Sequence, residues 1–285
     1  MKFIKGYLKY TLVLLILILT LSGCTQSSTN TPINSQDKSL MLIHYIDVGQ
    51  ADSILIQVNG KNMLIDAGNR GDADTVISYL QKQGVKKLDY VIATHPHEDH
   101  IGAMSDIIKK FPINEFYAPK KTASTKTFEN MINALNGKKI IAARAGVTLD
   151  LGENTEAVLL APNNNNYEDI NNYSAVLKLN YGSNKFLFMG DAEKLSEKEI
   201  VNTNVDISSD VIKIGHHGST SSSSKELLDK VSPKIAVISV GKDNDYDHPH
   251  KETLVEFKKR GYTVYRTDID STIVLQSDGK TIKKR

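Results

Sequence analysis

The stretch ATHPHEDHIGA, residues 93–103, is the most informative segment, because it places three histidines and two acidic residues within six positions. The whole chain has only 8 histidines in 285 residues. The histidines here are His95, His97 and His100, and Asp99 precedes the last of them. Neutral imidazoles bind borderline metals well, and a carboxylate adds negative charge and an oxygen ligand. An isolated His-X-His pair is typical of a surface loop, whereas the HxHxDH pattern after an apolar run predicts a metal site.

The composition is that of an ordinary globular protein, with 40% hydrophobic and 24% charged residues. A formal net charge of +2 indicates no general affinity for nucleic acid, although it leaves a local basic groove possible. Cys24 is the single cysteine, which excludes an intrachain disulfide. It also leaves the folded part without a thiolate ligand, so the metal must be held by histidine and carboxylate side chains.

The N-terminus predicts an export signal. Lysines precede an apolar run from about Leu12 to Leu21, and small residues then lead to Cys24. The tetrapeptide LSGC resembles the bacterial lipoprotein processing box, which implies a signal peptide at 1–23 and a lipidated Cys24 that anchors the protein to the membrane. The alternative is an uncleaved anchor helix, for which the run is short. Both interpretations put the protein body on the outer face, because the lysines favour the cytoplasmic side.

Two parts follow the signal. Residues 24–39 are polar and aperiodic and predict a solvated tether, and residues 40–285 predict one folded domain. The domain begins with short β-prone runs separated by turn residues, which indicates consecutive antiparallel strands. The predicted helices span about 72–83, 101–110, 125–135, 225–231 and 251–260. Strand-rich blocks interleaved with helices in both halves predict an α/β protein, with two sheets packed together and helices outside.

Several motifs resemble a known family. The HxHxDH pattern resembles the signature of the metallo-β-lactamase fold superfamily, and the motifs in their order resemble the hydrolase domain of the ComEC family of competence DNA-uptake proteins. These motifs are DVGQADSILI (47–56), LIDAG (64–68), THPHEDHIGA (94–103), NNYSAVLKL (171–179), FLFMGDA (186–192), IKIGHHGSTSSSS (212–224), AVISVGKDNDYDHPH (236–250) and VYRTD (264–268). The resemblance runs from about residue 40 to the end. It implies a four-layer αββα fold with a dinuclear metal site at the sheet edges, in a free-standing, lipid-anchored protein.

The resemblance also implies two divalent ions, Zn²⁺ or Mn²⁺, and a role for each motif residue. His95 and His97 would bind the first metal and Asp99 and His100 the second, with Asp99 also expected to act in catalysis. Asp191 would bridge the two metals. Considered alone, Asp191 is equally consistent with a turn or helix-cap aspartate.

His216 would complete the second metal site. Its neighbour His217 is expected to point away, since only one of two adjacent side chains on an extended segment faces a given side.

The sequence departs from the family pattern at two places. Where many superfamily members have a third histidine for the first metal, this chain offers Asn171, Asn172 and Ser174. The first site is therefore expected to be short of one imidazole and more tolerant of Mn²⁺. Ala51 stands where the family has glycine, and we expect only a local backbone adjustment.

Five further polar residues are candidates for supporting roles. Asp47 and Asp66 end apolar strands and could orient a ligand histidine, or they could be turn aspartates. His248 could contact a phosphate or protonate a leaving group, or it could be a structural turn histidine. Ser219 and Thr220 could donate hydrogen bonds to phosphate oxygens, although helix capping explains them equally well.

The functional prediction is a metal-dependent phosphodiesterase on the outer face of the membrane. Two divalent ions held close together activate water and neutralise charge on a phosphodiester, and the resemblance implies that the substrate is DNA. One alternative is a hydrolase of a lactam, a lactone or a cell-wall phosphodiester, because the motifs do not specify the electrophile. Another is a non-catalytic accessory protein whose first metal site is incomplete.

Overall fold

The computed structural model describes residues 39–285. The predictions of a signal peptide at 1–23, of lipidation at Cys24 and of the tether up to residue 38 lie outside these residues. In the part of the chain that is described, we find no helix with the length and apolar character needed to cross a membrane.

Strands and helices alternate along the described residues. The strands are β1 (Met41–Tyr45), β2 (Ile54–Val58), β3 (Lys61–Ile65), β4 (Leu88–Ile92), β5 (Ile113–Ala118), β6 (Ile140–Ala142), β7 (Thr148–Leu149), β8 (Thr155–Ala161), β9 (Val176–Tyr181), β10 (Asn184–Phe188), β11 (Val211–Lys213), β12 (Ile235–Ile238), β13 (Thr263–Arg266), β14 (Ile273–Ser277) and β15 (Ile282–Lys284). The helices are α1 (Ala73–Lys82), α2 (Glu98–Ile101), α3 (Met104–Lys110), α4 (Lys126–Leu135), α5 (Lys194–Val201), α6 (Lys225–Val231), α7 (Lys251–Lys259) and α8 (Thr267–Asp270).

The strands form two mixed sheets. The first has the order β15-β14-β1-β2-β3-β4-β5-β6, and the second has the order β13-β12-β11-β10-β9-β8-β7. Strands β1, β2 and β3 pair antiparallel, which confirms the predicted opening meander. From β3 to β6 the first sheet is parallel, as is the second from β10 to β13. The carboxyl ends of β4 and β5 therefore share one edge, and so do those of β10 and β11.

The two sheets pack against each other around an apolar core. Tyr45 of β1 and Phe188 of β10 meet across the interface with ring centres 6.3 Å apart. Strand side chains alternate between faces, so Ile54 and Ile56 enter this core while Leu55 points to the other side of the sheet. The alternation gives each sheet two buried faces.

Helices cover the outer face of each sheet. Against the first sheet pack Val76, Leu80, Met104, Ile107 and Met131 from α1, α3 and α4. Against the second sheet pack Ile200, Leu227, Leu228 and Phe257 from α5, α6 and α7. The predicted four-layer αββα sandwich is confirmed.

Gly102 allows the segment that carries the histidine motif to pack on a neighbouring turn. A Cβ atom at this position would lie 2.2 Å from the carbonyl carbon of Asn69 and 2.3 Å from the amide nitrogen of Arg70. The Gly102 amide also donates to the Gly68 carbonyl at 2.8 Å. Because backbone atoms cannot move aside as a flexible side chain can, this close approach requires glycine.

Replacing Gly102 with alanine is expected to lower the free energy of unfolding by about 1–3 kcal/mol, since the added methyl group must displace backbone. Gly71→Ala is the matched control, because a Cβ at Gly71 would meet no atom within 4 Å. Urea unfolding of both variants tests the prediction. Equal stabilities for the two would show that the close approach does not constrain the fold.

Candidate metal centre

The site lies where the carboxyl ends of strands from both sheets meet. His95 follows β4 of the first sheet, and Asp191 follows β10 of the second. His217 lies in the turn after β11. Since β10 and β11 are parallel neighbours, their carboxyl ends are adjacent, and the three side chains converge from three different strands.

Asp191 is the centre of the arrangement. Its Oδ2 atom lies 3.2 Å from Nε2 of His100, 3.8 Å from Nε2 of His95, 3.8 Å from Nε2 of His217 and 3.9 Å from Nε2 of His216. The carboxylate is 1% exposed. Burial acts to raise the pKa of Asp191, but the positive charges of His100 and His217 outweigh burial, and the pKa lies well below its ordinary value. The group is therefore an anion surrounded by imidazoles.

Four residues form a compact group: Asp99, His100, Asp191 and His217. Their ligand atoms all lie within 4.8 Å of one another, with Asp99 Oδ2 3.1 Å from Nε2 of His217 and 3.5 Å from Nε2 of His100. Two buried atoms of the group, Nε2 of His100 and Oδ1 of Asp191, form no hydrogen bond among residues 39–285, and Nε2 of His100 has only the ion-pair contacts with Asp191 Oδ2 at 3.2 Å and Asp99 Oδ2 at 3.5 Å. Buried polar atoms are normally paired, so these two fit ligation of a cation. The group is able to bind a metal ion.

The first half of the motif forms a second, more open group. Nε2 of His95 lies 3.0 Å from Nδ1 of His97, and their rings are nearly perpendicular at 77°. His95 is buried, whereas His97 lines an open cleft. Nε2 of His95 also lies 3.8 Å from Asp191 Oδ2, so these two histidines and Asp191 form a second set of potential ligands. The structure thus brings together the motif histidines, Asp99 and Asp191.

A buried carboxylate fixes the ring of His100. Asp66 Oδ2 lies 2.7 Å from Nδ1 of His100, and Thr94 donates to Asp66 from its amide at 2.8 Å and from its hydroxyl at 2.6 Å. A histidine whose Nδ1 proton is held by a carboxylate directs Nε2 at the metal. Asp66 thus has the geometry of an orienting residue. Asp47, predicted to do the same, does not: its Oδ1 accepts from the Gly49 amide at 3.3 Å, and it contacts no histidine in the described chain.

The structure differs from the prediction that His216 completes the second metal site while His217 points away: His217, and not His216, belongs to the compact group. His217 is the buried member, and its Nδ1 donates to the Ser239 carbonyl at 2.9 Å, which directs Nε2 at Asp99. The prediction assumed extended backbone, but φ is 47° at His216 and 51° at His217. Left-handed conformations at two successive non-glycine residues abolish the alternation of side chains.

His216 keeps a place at the edge of the centre. Its Nδ1 lies 3.2 Å from Oε1 of Glu193 and 3.1 Å from Oγ of Ser221, and its side chain is 25% exposed. The Glu193 carboxylate thereby holds the His216 ring in an orientation in which the Nε2 atom of His216 faces Asp191. His216 therefore borders the cleft rather than the compact group.

The position where many relatives have a third histidine is occupied by a supporting residue. The Ser174 hydroxyl accepts from the Asp191 amide at 3.0 Å and lies 3.4 Å from Nδ1 of His95. The Ser174 hydroxyl therefore contacts Nδ1 of His95, while Nε2 of that ring is the nitrogen that faces Asp191. The neighbouring Asn172 accepts from the Ser196 amide at 3.1 Å and is likewise turned away. The chain accordingly lacks a third imidazole at this position, as its sequence indicates.

Sequence analysis missed a buried ion pair beneath the site. Asp52 Oδ2 lies 3.0 Å from Nζ of Lys213, both side chains are at most 2% exposed, and Asp52 Oδ1 is 3.7 Å from Nδ1 of His217. The signal was present, since a lysine within the apolar run that precedes the two histidines must find a partner when buried.

Replacing Lys213 with alanine is expected to destabilise the protein by about 3–5 kcal/mol, because it leaves the Asp52 carboxylate buried without its cation. Lys126→Ala is the control: Lys126 pairs with Glu129 at 2.9 Å, and both side chains are more than half exposed. Such exposed pairs contribute about 0–1 kcal/mol. Urea unfolding measures both changes, and equal losses would mean that the buried pair has no special role.

The ligand groups open into a cleft of about 350 Å³, whose other walls include Gln50, Tyr246 and His248. Nδ1 of His248 lies 3.4 Å from Nε2 of Gln50. Burial, together with the charges of the neighbouring histidines, lowers the pKa of His248 to about 4. His248 therefore reaches the cleft as a neutral imidazole at neutral pH.

The predicted phosphate donors Ser219 and Thr220 do not line this cleft. The Ser219 hydroxyl accepts from the Ser221 amide at 3.2 Å, and the Thr220 amide donates to Nδ1 of His250 at 2.9 Å. Both residues thus stabilise the loop that follows the histidine pair. Their assignment to substrate binding stays a prediction.

Comparison with known proteins identifies the family. The sequence profile of the metallo-beta-lactamase superfamily, Lactamase_B, matches residues 46–242. The chain belongs to the metallo-beta-lactamase superfamily. As a superfamily member whose His/Asp cluster is able to bind metal, it is a metal-dependent hydrolase.

Relatives of this chain include a ComE operon protein, a recombination protein and a competence protein. ComE operon protein 3 of Bacillus subtilis (strain 168) is 31% identical over 251 residues, covering 81% of this chain and 32% of that protein. Recombination protein 2 of Haemophilus influenzae is 30% identical, covering 80% and 27%, and competence protein ComA of Neisseria gonorrhoeae is 28% identical, covering 80% and 31%. The chain spans about a third of the length of these curated relatives.

Solved structures share the metallo-beta-lactamase fold. The metallo-beta-lactamase fold protein YhfI of Bacillus subtilis matches with a TM-score of 0.56 at 17% identity, covering 83% of this chain and 100% of that one. CmlA of Streptomyces venezuelae, a diiron beta-hydroxylase, matches with a TM-score of 0.54 at 16% identity, covering 79% and 52%. At these identities the likeness concerns the fold alone.

Proposed function

We propose that this protein is a metal-dependent phosphodiesterase that cleaves DNA through a dinuclear site. The observation that carries the proposal is the position of Asp191, whose Oδ2 atom lies within 4 Å of imidazoles from both ligand groups. A carboxylate placed in this way can serve two cations at once. The names of the competence relatives support a nucleic-acid substrate.

The two cations would be held by the two groups already described. His95 and His97 would hold one, His100 and His217 the other, with Asp191 between them; Asp99 would join the second. When bound, Zn²⁺ or Mn²⁺ ions lower the pKa of a water and neutralise charge on a phosphate oxygen. Imidazole and carboxylate ligands suit either ion.

The remaining polar groups orient the ligand histidines and bind the substrate. Asp66 holds His100 in one orientation, and the Ser239 carbonyl does the same for His217. His248 is neutral, and donation from Gln50 to its Nδ1 leaves its own proton on Nε2. From that atom it can donate a hydrogen bond to an anionic oxygen of the phosphate or of the leaving group, without transferring its proton. This is the catalytic role that we propose for His248.

The N-terminal sequence supports a proposal for the place of action. The apolar run and the LSGC box support export and lipid attachment at Cys24. We propose that the hydrolase domain acts on the outer face of the membrane, where DNA from outside the cell is accessible. The polar segment at 24–39 would provide its tether.

The test uses the full chain, purified in detergent, stripped of metal and then loaded with Mn²⁺ or Zn²⁺. Single-stranded DNA, bis(p-nitrophenyl) phosphate and a chromogenic β-lactam are assayed in parallel. We expect metal-dependent cleavage of both phosphodiesters and an intact lactam. Lactam hydrolysis with intact DNA would assign the site to another electrophile, and no turnover of any substrate would indicate an accessory role.

A further inference from the structure

A second cavity lies beside the metal centre on the same edge of the sandwich. It measures about 460 Å³, larger than the cleft at the metal ligands, and none of the residues that line it is acidic. Lys120, Arg144 and the asparagines Asn163, Asn164 and Asn165 contribute its polar walls. Sequence analysis assigned no function to any of these residues.

Strand order places this cavity next to the metal ligands. In the first sheet, His95 follows β4, Lys120 follows β5 and Arg144 follows β6, and these three strands are parallel neighbours. In the second sheet, Asp191 follows β10, while the loop at 162–166 follows β8, which runs in the same direction. Neighbouring strands lie about 4.8 Å apart, so the strand ends that carry the cavity are displaced from those that carry the metal ligands by roughly 5–10 Å.

The cavity is electropositive because its cations are not neutralised. Neither Lys120 nor Arg144 forms an ion pair or a side-chain hydrogen bond with any residue of 39–285. A third cation, Lys121, follows Lys120 after β5: its Nζ lies 4.7 Å from the ring centre of Tyr173, which lines the second cavity, and it lines a separate small cavity together with His95. The cavity and its surroundings thus carry three cations, Lys120, Lys121 and Arg144.

The asparagine loop that forms the opposite wall is held in place. The Tyr167 hydroxyl accepts from the amides of Asn163 and Asn164 at 3.2 and 3.0 Å, and the Tyr173 hydroxyl donates to the Asn165 carbonyl at 3.0 Å. The run of asparagines is therefore a fixed polar wall. Asn163 Nδ2 donates to the Leu160 carbonyl at 2.8 Å and Asn164 Oδ1 accepts from the Asn165 amide at 2.7 Å, which leaves Nδ2 of Asn164 and the Asn165 side chain for hydrogen bonds to sugar or phosphate oxygens.

We infer that this cavity binds the backbone phosphates of a single-stranded polynucleotide whose scissile phosphodiester lies at the metal centre. The inference rests on the proposed function and names its substrate class more closely. Lysine and arginine neutralise phosphates without reading bases, so the interaction is independent of sequence. A small phosphodiester occupies the metal cleft alone, whereas a polymer also reaches the second cavity.

The test measures binding rather than cleavage. Full-length protein in detergent with excess EDTA is titrated against a fluorescent single-stranded oligonucleotide, and anisotropy gives Kd over a range of salt concentrations. For Lys120→Ala with Arg144→Ala we expect Kd to rise about tenfold at low salt. The plot of log Kd against log salt should become shallower by about 1.4, the contribution of two phosphate contacts to a single strand.

The matched control removes the same charge elsewhere. Lys258 and Lys259 are exposed at the end of α7, which leads to the amino end of β13 and thus to the far edge of the sheet. Their double alanine variant should stay within about twofold of the wild-type Kd, since nonspecific attraction falls off within a Debye length. Thermal unfolding confirms that both variants are folded.

Equal Kd values and equal slopes for the two double variants would overturn the inference. So would displacement of the oligonucleotide by inorganic phosphate at equal phosphate concentration, which would assign the cavity to free phosphate. Failure of the proposed function is distinguishable. If the protein binds DNA through Lys120 and Arg144 but cleaves no phosphodiester, the inference stands and the proposed function fails. If it cleaves phosphodiesters but the two double variants bind DNA equally well, the proposed function stands and the inference fails.

Discussion

Replacing Asp191 with asparagine is expected to lower phosphodiester hydrolysis by roughly a thousandfold, the upper range for removing one charged group at a reacting centre. It should also reduce the bound metal from about two ions per chain to one or none. The reason is geometric, because Asp191 Oδ2 lies within 4 Å of Nε2 of His95, His100 and His217. The amide keeps the shape of the side chain but loses the negative charge.

Asp47→Asn is the control for this substitution. It makes the same chemical change in a carboxylate that also follows an apolar strand but hydrogen-bonds only within its own turn and to no ligand histidine. Its metal content and activity should match those of the wild type. Metal content is measured by mass spectrometry of the purified protein. An Asp191→Asn protein that retains two metals and full activity would exclude a bridging role.

Replacing His217 with alanine is expected to remove the second metal and to lower activity by at least about a hundredfold, as for other losses of a group that stabilises charge at a reacting centre. His217 Nε2 lies 3.1 Å from Asp99 Oδ2, and the ring is buried. His216→Ala provides the comparison, since the two residues are adjacent and chemically identical. Because His216 lies outside the compact group, its loss should leave the second metal bound.

Metal content and activity are measured for both histidine variants under the same loading conditions. Metal content and activity are expected to decrease in the order wild type, His216→Ala, His217→Ala. The reverse order would mean that His216 is the ligand. The arrangement in which His217 completes the compact group would then be wrong.

The fold was predictable because its determinants are local. Short β-prone runs separated by turn residues mark β1, β2 and β3, and helical patterns mark α1, α4 and α7, whose observed limits differ from the predicted ones by one residue at one or both ends. The helix predicted at 101–110 is interrupted in the structure. Helix α2 begins at Glu98 and ends at Ile101, and α3 begins at Met104. The close approach of Gly102 to Asn69 accompanies this break, and it is a tertiary contact that local patterns do not reveal.

Helix α5 was not predicted at all. Its sequence, KLSEKEIV, has few apolar residues, and Leu195 is 51% exposed. The helix is instead fixed by Glu197, which is buried and accepts from the Ser224 amide at 2.8 Å. A buried glutamate looks like an ordinary surface residue in the sequence, so the contact that stabilises this element is visible only in the fold.

The candidate site was predictable where a motif specifies spacing. The HxHxDH segment and Asp191 converge, and Asp66 lies behind His100. Choosing between His216 and His217 required the backbone angles of the turn, which are left-handed although neither residue is glycine. Choosing Asp52 over Asp47 as the carboxylate beside His217 required the pairing with Lys213 across the two sheets.

The most direct test of the account is an anomalous diffraction map from crystals of the protein grown with Mn²⁺. The account predicts two peaks within about 4 Å of each other, as in other two-metal sites. One should lie between His95, His97 and Asp191, and the other between Asp191 and the compact-group residues His100 and His217. A single peak, or two peaks that do not share Asp191, would contradict the dinuclear centre on which the proposed function depends.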